Sequence, residues 1–143
     1  MEFCCPYEPK KRGQGRGNSG VYIQNRYEVQ VLDSFGLTPR KGDAGAIYGV
    51  AVPRVNASLP PTRWQTYDIW FRAPKVGPNG EVLEPPVFEK VLFNGVLVQE
   101  NVPVRKTTTA GMRGKVRETG PLMLQDHGNA VRYRNIWYVE LKD

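Results

Sequence analysis

The sequence predicts an all-β protein built as a sandwich or jelly roll of antiparallel sheets. Three observations lead there. Apolar residues recur with period two, and no stretch keeps the period of three to four residues that an amphipathic helix needs. The chain is rich in turn formers, with 15 glycines and 12 prolines in 143 residues, which favours many short elements. About eight short strands can be delimited in a length that suits one domain, 1–143, and that number points to two packed sheets.

The first strand pair is a hairpin about Asn25-Arg26, with strands over Gly20 to Gln24 and Tyr27 to Leu32. In the second, Tyr27, Val29 and Val31 fall on one face and Glu28 and Gln30 on the other. Gly45 to Val50 reads as a further strand. In WQTYDIWF, residues Gln65, Tyr67, Ile69 and Phe71 alternate with Trp64, Thr66, Asp68 and Trp70, so aromatic rings stand on both faces. One face is expected to meet the core and the other to carry chemistry or solvent. Strands over 87–93 and 96–99 flank Asn94-Gly95, the dipeptide suited to a type I′ turn because both central positions need positive φ. Pro121 to Leu124 and Val131 to Leu141 supply the last two. The long connections are Asp33 to Ala44, Pro53 to Arg63 and Asn101 to Gly120, and loops of such length are usually functional or mobile. The last is polar and unpatterned, which predicts an exposed segment without fixed structure. No internal repeat is present.

Lys and Arg outnumber Asp and Glu by 20 to 14, a formal +6. The basic residues are spread over Lys10 to Arg16, Arg105 to Lys115 and Arg132 to Arg134 with acids between, a pattern that describes a solvated surface better than a nucleic-acid footprint. Arg12 to Asn18, with Tyr22 nearby, has the composition of a single-strand-binding tail. Only one such segment exists, and its glycines equally let a loop turn into the next strand. Nucleic acid is therefore not the expected partner. Cys4 and Cys5 are adjacent and cannot form an ordinary disulfide with each other. No apolar run approaches a membrane span, and no apolar signal region opens the chain. The protein is then cytoplasmic, or its export signal lies outside this sequence.

Two constellations could carry chemistry. His127, the one histidine, follows Asp126 at a turn into Gly128-Asn129 and precedes a strand carrying Arg132 and Arg134. One histidine and two tandem cysteines argue against a His-rich or Cys-rich zinc site, and no serine has a nucleophile-elbow context. Glu28 and Gln30 form the other group, with Tyr48, Trp64 and Asp68 available on the non-core face of neighbouring strands. Either these are solvent-facing residues, or carboxylate, amide, aromatic and guanidinium groups together hold a polyhydroxylated ligand.

The blocks RGQGRGNSGVYIQNRYEVQVLDSFG, GAIYG, WQTYDIWFRAP, FNGVLVQENV and GPLMLQDHGNAVRYRNIW, in this order, closely resemble the 3-keto-disaccharide hydrolase family over nearly the whole chain from about Phe3. The resemblance implies a concanavalin-like, laminin-G-like β sandwich acting in carbohydrate breakdown, in a periplasmic or secreted protein, on glycosides already oxidised at C3. A ketone at C3 acidifies the C2 proton, so a base can remove it, the C1 substituent leaves by elimination, and water adds. Such a site needs a base, donors or a cation facing the enolate oxygen, and an acid for the leaving group. Carried onto this chain, the resemblance implies a pocket lined by Glu28, Gln30, His127 and Arg134. Glu28 or His127 would be the base and Arg134 the oxyanion partner, with Gln30, Asn18 and Gln125 orienting hydroxyls. Tyr48 or Trp64 would lie under the sugar ring, with Asp68 beside them, while Asp126 would fix the turn or orient His127. No cofactor is expected, although Glu28, Asp126 or His127 could ligate a divalent cation. The chain departs from the family in beginning where N-terminal strands have usually been supplied, and EFCCPYEP reads as the end of the strand before the glycine loop. A sheet edge left open in this way would be covered by a partner chain, for example a second copy, or would leave the fold less stable than usual. The alternative function is a non-catalytic, lectin-like sugar-binding module on the same scaffold.

Overall fold

In a computed structural model that describes residues 1–141, ten strands form antiparallel sheets. They are β1 (Glu2–Cys4), β2 (Ser19–Ile23), β3 (Tyr27–Val31), β4 (Gln65–Arg72), β5 (Lys75–Val76), β6 (Val82–Glu84), β7 (Val87–Phe93), β8 (Val96–Pro103), β9 (Met123–Leu124) and β10 (Arg132–Arg134). One sheet runs β10-β1-β4-β7-β8, a second β3-β2-β9, and β5 and β6 pair by themselves. The two larger sheets face each other, which is the sandwich that the period-two pattern predicts.

The inward set of each strand makes the core. Phe3, Tyr67, Phe88, Val91, Phe93 and Val98 from the five-stranded sheet are buried against Val21, Tyr27, Val29 and Val31 from the three-stranded one. Tyr67 sits at the centre, with ring centroids 4.8 Å from both Phe3 and Phe93. Its hydroxyl donates to the Gln30 carbonyl at 2.6 Å, a bond that ties one sheet to the backbone of the other. Tyr133 makes a second tie, with its hydroxyl 2.6 Å from Ser19 Oγ.

Both hairpins form as the sequence predicts. The first loop takes three residues, Gln24 to Arg26, rather than Asn25-Arg26 alone, with Gln24 and Asn25 at φ +55° and +54°; Asn94 and Gly95 take +51° and +76° in the second. Three predicted elements are corrected. Residues 45–50 are not a strand: Gly45 and Gly49 have positive φ, and Ile47 alone makes bridges, to Val29 and Ala51. The last strand stops at Arg134 because Asn135 turns to φ +50°, and Ile136 to Leu141 run on exposed. The segment 101–120 is not free of fixed structure: Val104 and Thr108 are buried, and its backbone is bonded to the β2–β3 hairpin. The EFCCPYEP segment does contain a strand, β1, but it lies inside its sheet, and the edges are β10 and β8. Among the described residues no helix is long and apolar enough to cross a membrane.

Candidate active site

The three-stranded sheet turns Glu28 and Gln30 away from the core, yet both are buried, at 3 % and 1 % exposure. Loops explain this. Thr108 accepts from the Glu28 amide at 3.2 Å and itself donates, through Oγ1, to the Arg26 carbonyl at 2.9 Å. The Tyr48 amide donates to the Glu28 carbonyl at 3.1 Å, and the Gln30 amide donates to the Ala46 carbonyl at 3.0 Å. Both flanking segments therefore close the free edge of β3 as short strands would, and they wall the face that carries Glu28. The segment after Thr108 is anchored by Arg26, a buried guanidinium that donates to the carbonyls of Met112 at 2.6 Å and Lys115 at 2.7 Å.

A cavity of about 150 Å³ lies on this face, lined by Gln14, Asn18, Tyr22, Glu28, Gln30, Tyr48, Thr109, Ala110, Gln125 and His127. Strand register places the central pair: Tyr22 stands directly opposite Glu28 on β2, and its hydroxyl donates to Glu28 Oε2 at 2.6 Å. Burial pushes the Glu28 carboxyl up to about 7, against the opposing effect of the Tyr22 hydrogen bond. The same pairing and burial drive the Tyr22 phenol far above its ordinary range. The space for the carboxylate comes from Gly20, where a Cβ would stand 2.3 Å from Glu28 Oε1. Gln125 enters from β9's end, its amide donating to the Gly20 carbonyl at 2.9 Å. His127 is exposed at the mouth, and Asp126 fixes the turn behind it by accepting from the Gly128 amide at 2.8 Å. A larger cavity, about 230 Å³, lies between Tyr27, Leu83, Pro86 and Arg105, and neither carboxylate nor imidazole lines it.

A carboxylate poised to change protonation near neutrality, beside hydroxyls and amides, can remove a proton from a polar ligand. Residues 2–139 match the 3-keto-alpha-glucoside-1,2-lyase-like domain. The chain belongs to that family. Among solved structures it resembles a protein of Parabacteroides distasonis ATCC 8503, named a "putative glycosyl hydrolase", with 33% identity and a TM-score of 0.75. The alignment covers 91% of this chain and 56% of that one, so the chain spans little more than half the length of its neighbour. No curated protein matches it. The fold is accordingly the concanavalin-like sandwich of this lyase-like family.

Within the lyase-like domain, six of the nine site residues named from sequence, Glu28, His127, Asn18, Gln30, Tyr48 and Gln125, meet in the one cavity. Arg134, Trp64 and Asp68 do not. On β10 the side chains alternate, so Tyr133 points inward to Ser19 while Arg132 and Arg134 face out. Arg134 is paired with Glu2, and its guanidinium lies 3.9 Å from the Trp64 ring centroid. Asp68, on β4, is paired in register with Leu92 of β7, in the other sheet from Glu28. Sequence reasoning missed Tyr22 and Gln14. The cross-strand register of the hairpin was the available signal for Tyr22; nothing local marked Gln14, which reaches the cavity from a 3-10 turn at Gly13–Gly15. Among the described residues no three His, Cys, Asp or Glu side chains are grouped to hold a metal ion.

Proposed function

We propose that this cavity cleaves the glycosidic bond of 3-keto-glycosides by removing the C2 proton, expelling the C1 substituent and adding water. The observation that carries the reading is Glu28: buried, held by Tyr22 through Oε2, with no hydrogen bond to Oε1 among the described residues, and facing the cavity. Ionised Glu28 takes the C2 proton, and the electron pair moves into the C2–C3 bond as the ketone becomes an enolate. Tyr48, Thr109, Gln125 and His127 are cavity side chains able to donate to that oxygen; Arg134, which is paired with Glu2, does not line the cavity. His127, at the mouth, gives a proton to the departing oxygen, after which water adds at C1 and the C2 proton is restored. No oxocarbenium-like transition state has to be formed, so the usual pair of carboxylates is not required. The steps need no cofactor. A periplasmic or secreted setting fits the family resemblance.

The test compares a 3-keto-disaccharide with its unoxidised parent, following released monosaccharide by mass spectrometry. Release from the keto sugar alone is expected. Equal release from both would refute a mechanism that depends on an acidified C2 proton, and binding of the keto sugar without release would make the domain a sugar-binding module.

A further inference from the structure

His127 reaches the cavity mouth on a short arch of backbone, and its side chain has no hydrogen bond among the described residues. The arch itself must then decide where the imidazole stands. One end is fixed at Gln125, whose amide donates to the Gly20 carbonyl at 2.9 Å and whose carbonyl accepts from Ser19 Oγ at 2.6 Å. The other end is fixed by a side chain: Asn129 Nδ2 donates to Glu8 Oε2 at 2.6 Å and to the Gly15 carbonyl at 2.9 Å. Only residues 126–128 lie between these anchors, with Gly128 turning at φ +75° and Asp126 Oδ1 accepting from its amide. Without the Asn129 bonds, the chain is next held to another segment where β10 pairs with β1, at Arg132.

Glu8 does not line the cavity, yet both of its oxygens are engaged. Oε2 accepts from the Gly17 amide at 2.8 Å as well as from Asn129, and Oε1 accepts from Lys11 Nζ at 2.7 Å. One carboxylate thus joins the glycine-rich loop, which brings Gln14 and Asn18 to the cavity, to the arch that brings His127. The Lys11 ammonium, and then the Gly17 and Asn129 donors, hold this carboxyl below its ordinary range, so it stays an acceptor where Glu28 titrates. The Gly15 carbonyl can only accept as well. Both partners demand a donor at position 129, which asparagine supplies from one nitrogen and aspartate cannot. We infer that Glu8 and Asn129 are positioning residues that hold His127 against the departing oxygen. The inference rests on the reading of the cavity as a 3-keto-glycoside site with His127 as the acid. It confines the effect of this pair to one proton. When a sugar departs, the C1–O bond breaks as His127 protonates the oxygen, whereas a nitrophenolate leaves as the anion and needs no proton. Removal of the C2 proton is common to both, and Glu28 is held for it by Tyr22, apart from Glu8.

The experiment compares kcat/KM for a 3-keto-disaccharide and for the 4-nitrophenyl glycoside of the same 3-keto sugar. His127→Ala is expected to lose about 100-fold on the disaccharide and no more than about threefold on the nitrophenyl glycoside. Asn129→Leu, which keeps the size and removes the donor, should show the same split at about 30-fold, and the isosteric Asn129→Asp should lose more, with carboxylate set against carboxylate. Glu8→Met should split the two substrates less, because the Gly15 carbonyl still holds Asn129. Glu8→Gln can keep its oxygen towards Gly17 and Asn129 and should retain most of the activity. His127→Ala with Asn129→Leu should be no slower than His127→Ala alone, since the group being positioned is gone. Equal losses on both substrates in the Asn129 and Glu8 variants, no loss in them, or losses that multiply in the double variant overturn this inference and leave the proposed reaction standing. No split in His127→Ala itself refutes the acid role of His127, and the inference with it, while C2 deprotonation stands. A wild-type protein that cleaves neither keto-glycoside overturns both the reaction and the inference.

Discussion

Replacing Glu28 by glutamine is expected to lower turnover of a 3-keto-glycoside by about a thousandfold, the middle of the range for removing a positioned general base. The fold should survive, because glutamine keeps the shape and can still accept from the Tyr22 hydroxyl. The pH dependence follows from the same group. Burial raises the Glu28 carboxyl to about 7, so the limb of wild-type kcat/KM set by this base should rise with pH through that value. Stability should run the other way. A folded-state pKa above the unfolded one means that the native protein binds the proton more tightly, so stability is greatest below the unfolded value near 4.5 and declines as pH rises to about 7. Glutamine has no proton to lose. Glu28→Gln should therefore unfold at a higher temperature than wild type at pH 8, with the difference shrinking towards pH 5. Thermal unfolding at the two pH values, alongside initial rates, checks both signs.

Truncating Tyr67 to alanine should destabilise the protein by about 4 kcal/mol, the scale for deleting a large buried aromatic side chain. The ring is fully enclosed between Phe3 and Phe93, so its loss leaves a cavity at the centre of the sandwich. Tyr67→Phe removes only the hydroxyl that donates to the Gln30 carbonyl, and should cost about 1 kcal/mol. That carbonyl keeps the Gly45 amide at 3.1 Å, so the acceptor is not orphaned and β3 stays in place. Urea unfolding of the three proteins measures the two steps. A loss in Tyr67→Phe as large as in Tyr67→Ala would mean that the hydroxyl bond, rather than ring packing, holds the sheets together.

Much of the fold could be read before the structure because its determinants are local. The Asn94-Gly95 turn and the alternation in β3 and β4 depend on neighbours in sequence, and both formed. What failed depends on distant partners. Residues 101–120 carry no period, yet Thr108 and the carbonyls of Met112 and Lys115 fit the edge of β3 and the Arg26 guanidinium. The family resemblance brought Arg134 into the pocket as it brought His127. Only the pairing of β10 with β1, which sets Arg134 beside Glu2, shows it on the opposite side of its sheet from the core. Glu28 and Gln30 were legible as a polar pair on one face, but their burial was not, since the loops that cover them come from residues 45–48 and 108–110. Tyr22 illustrates the same limit at short range, because it aligns with Glu28 only once the loop is known to take three residues, Gln24 to Arg26.

The most direct test of the central claim is the isotope content at C2. Cleavage of a 3-keto-disaccharide in deuterium oxide should place one solvent deuterium at C2 of the released keto sugar, and Glu28→Gln, given equal time, should leave C2 unlabelled above the uncatalysed background. Release of a monosaccharide that keeps its original hydrogen at C2 would contradict removal of that proton and would place the bond-breaking chemistry elsewhere than at Glu28.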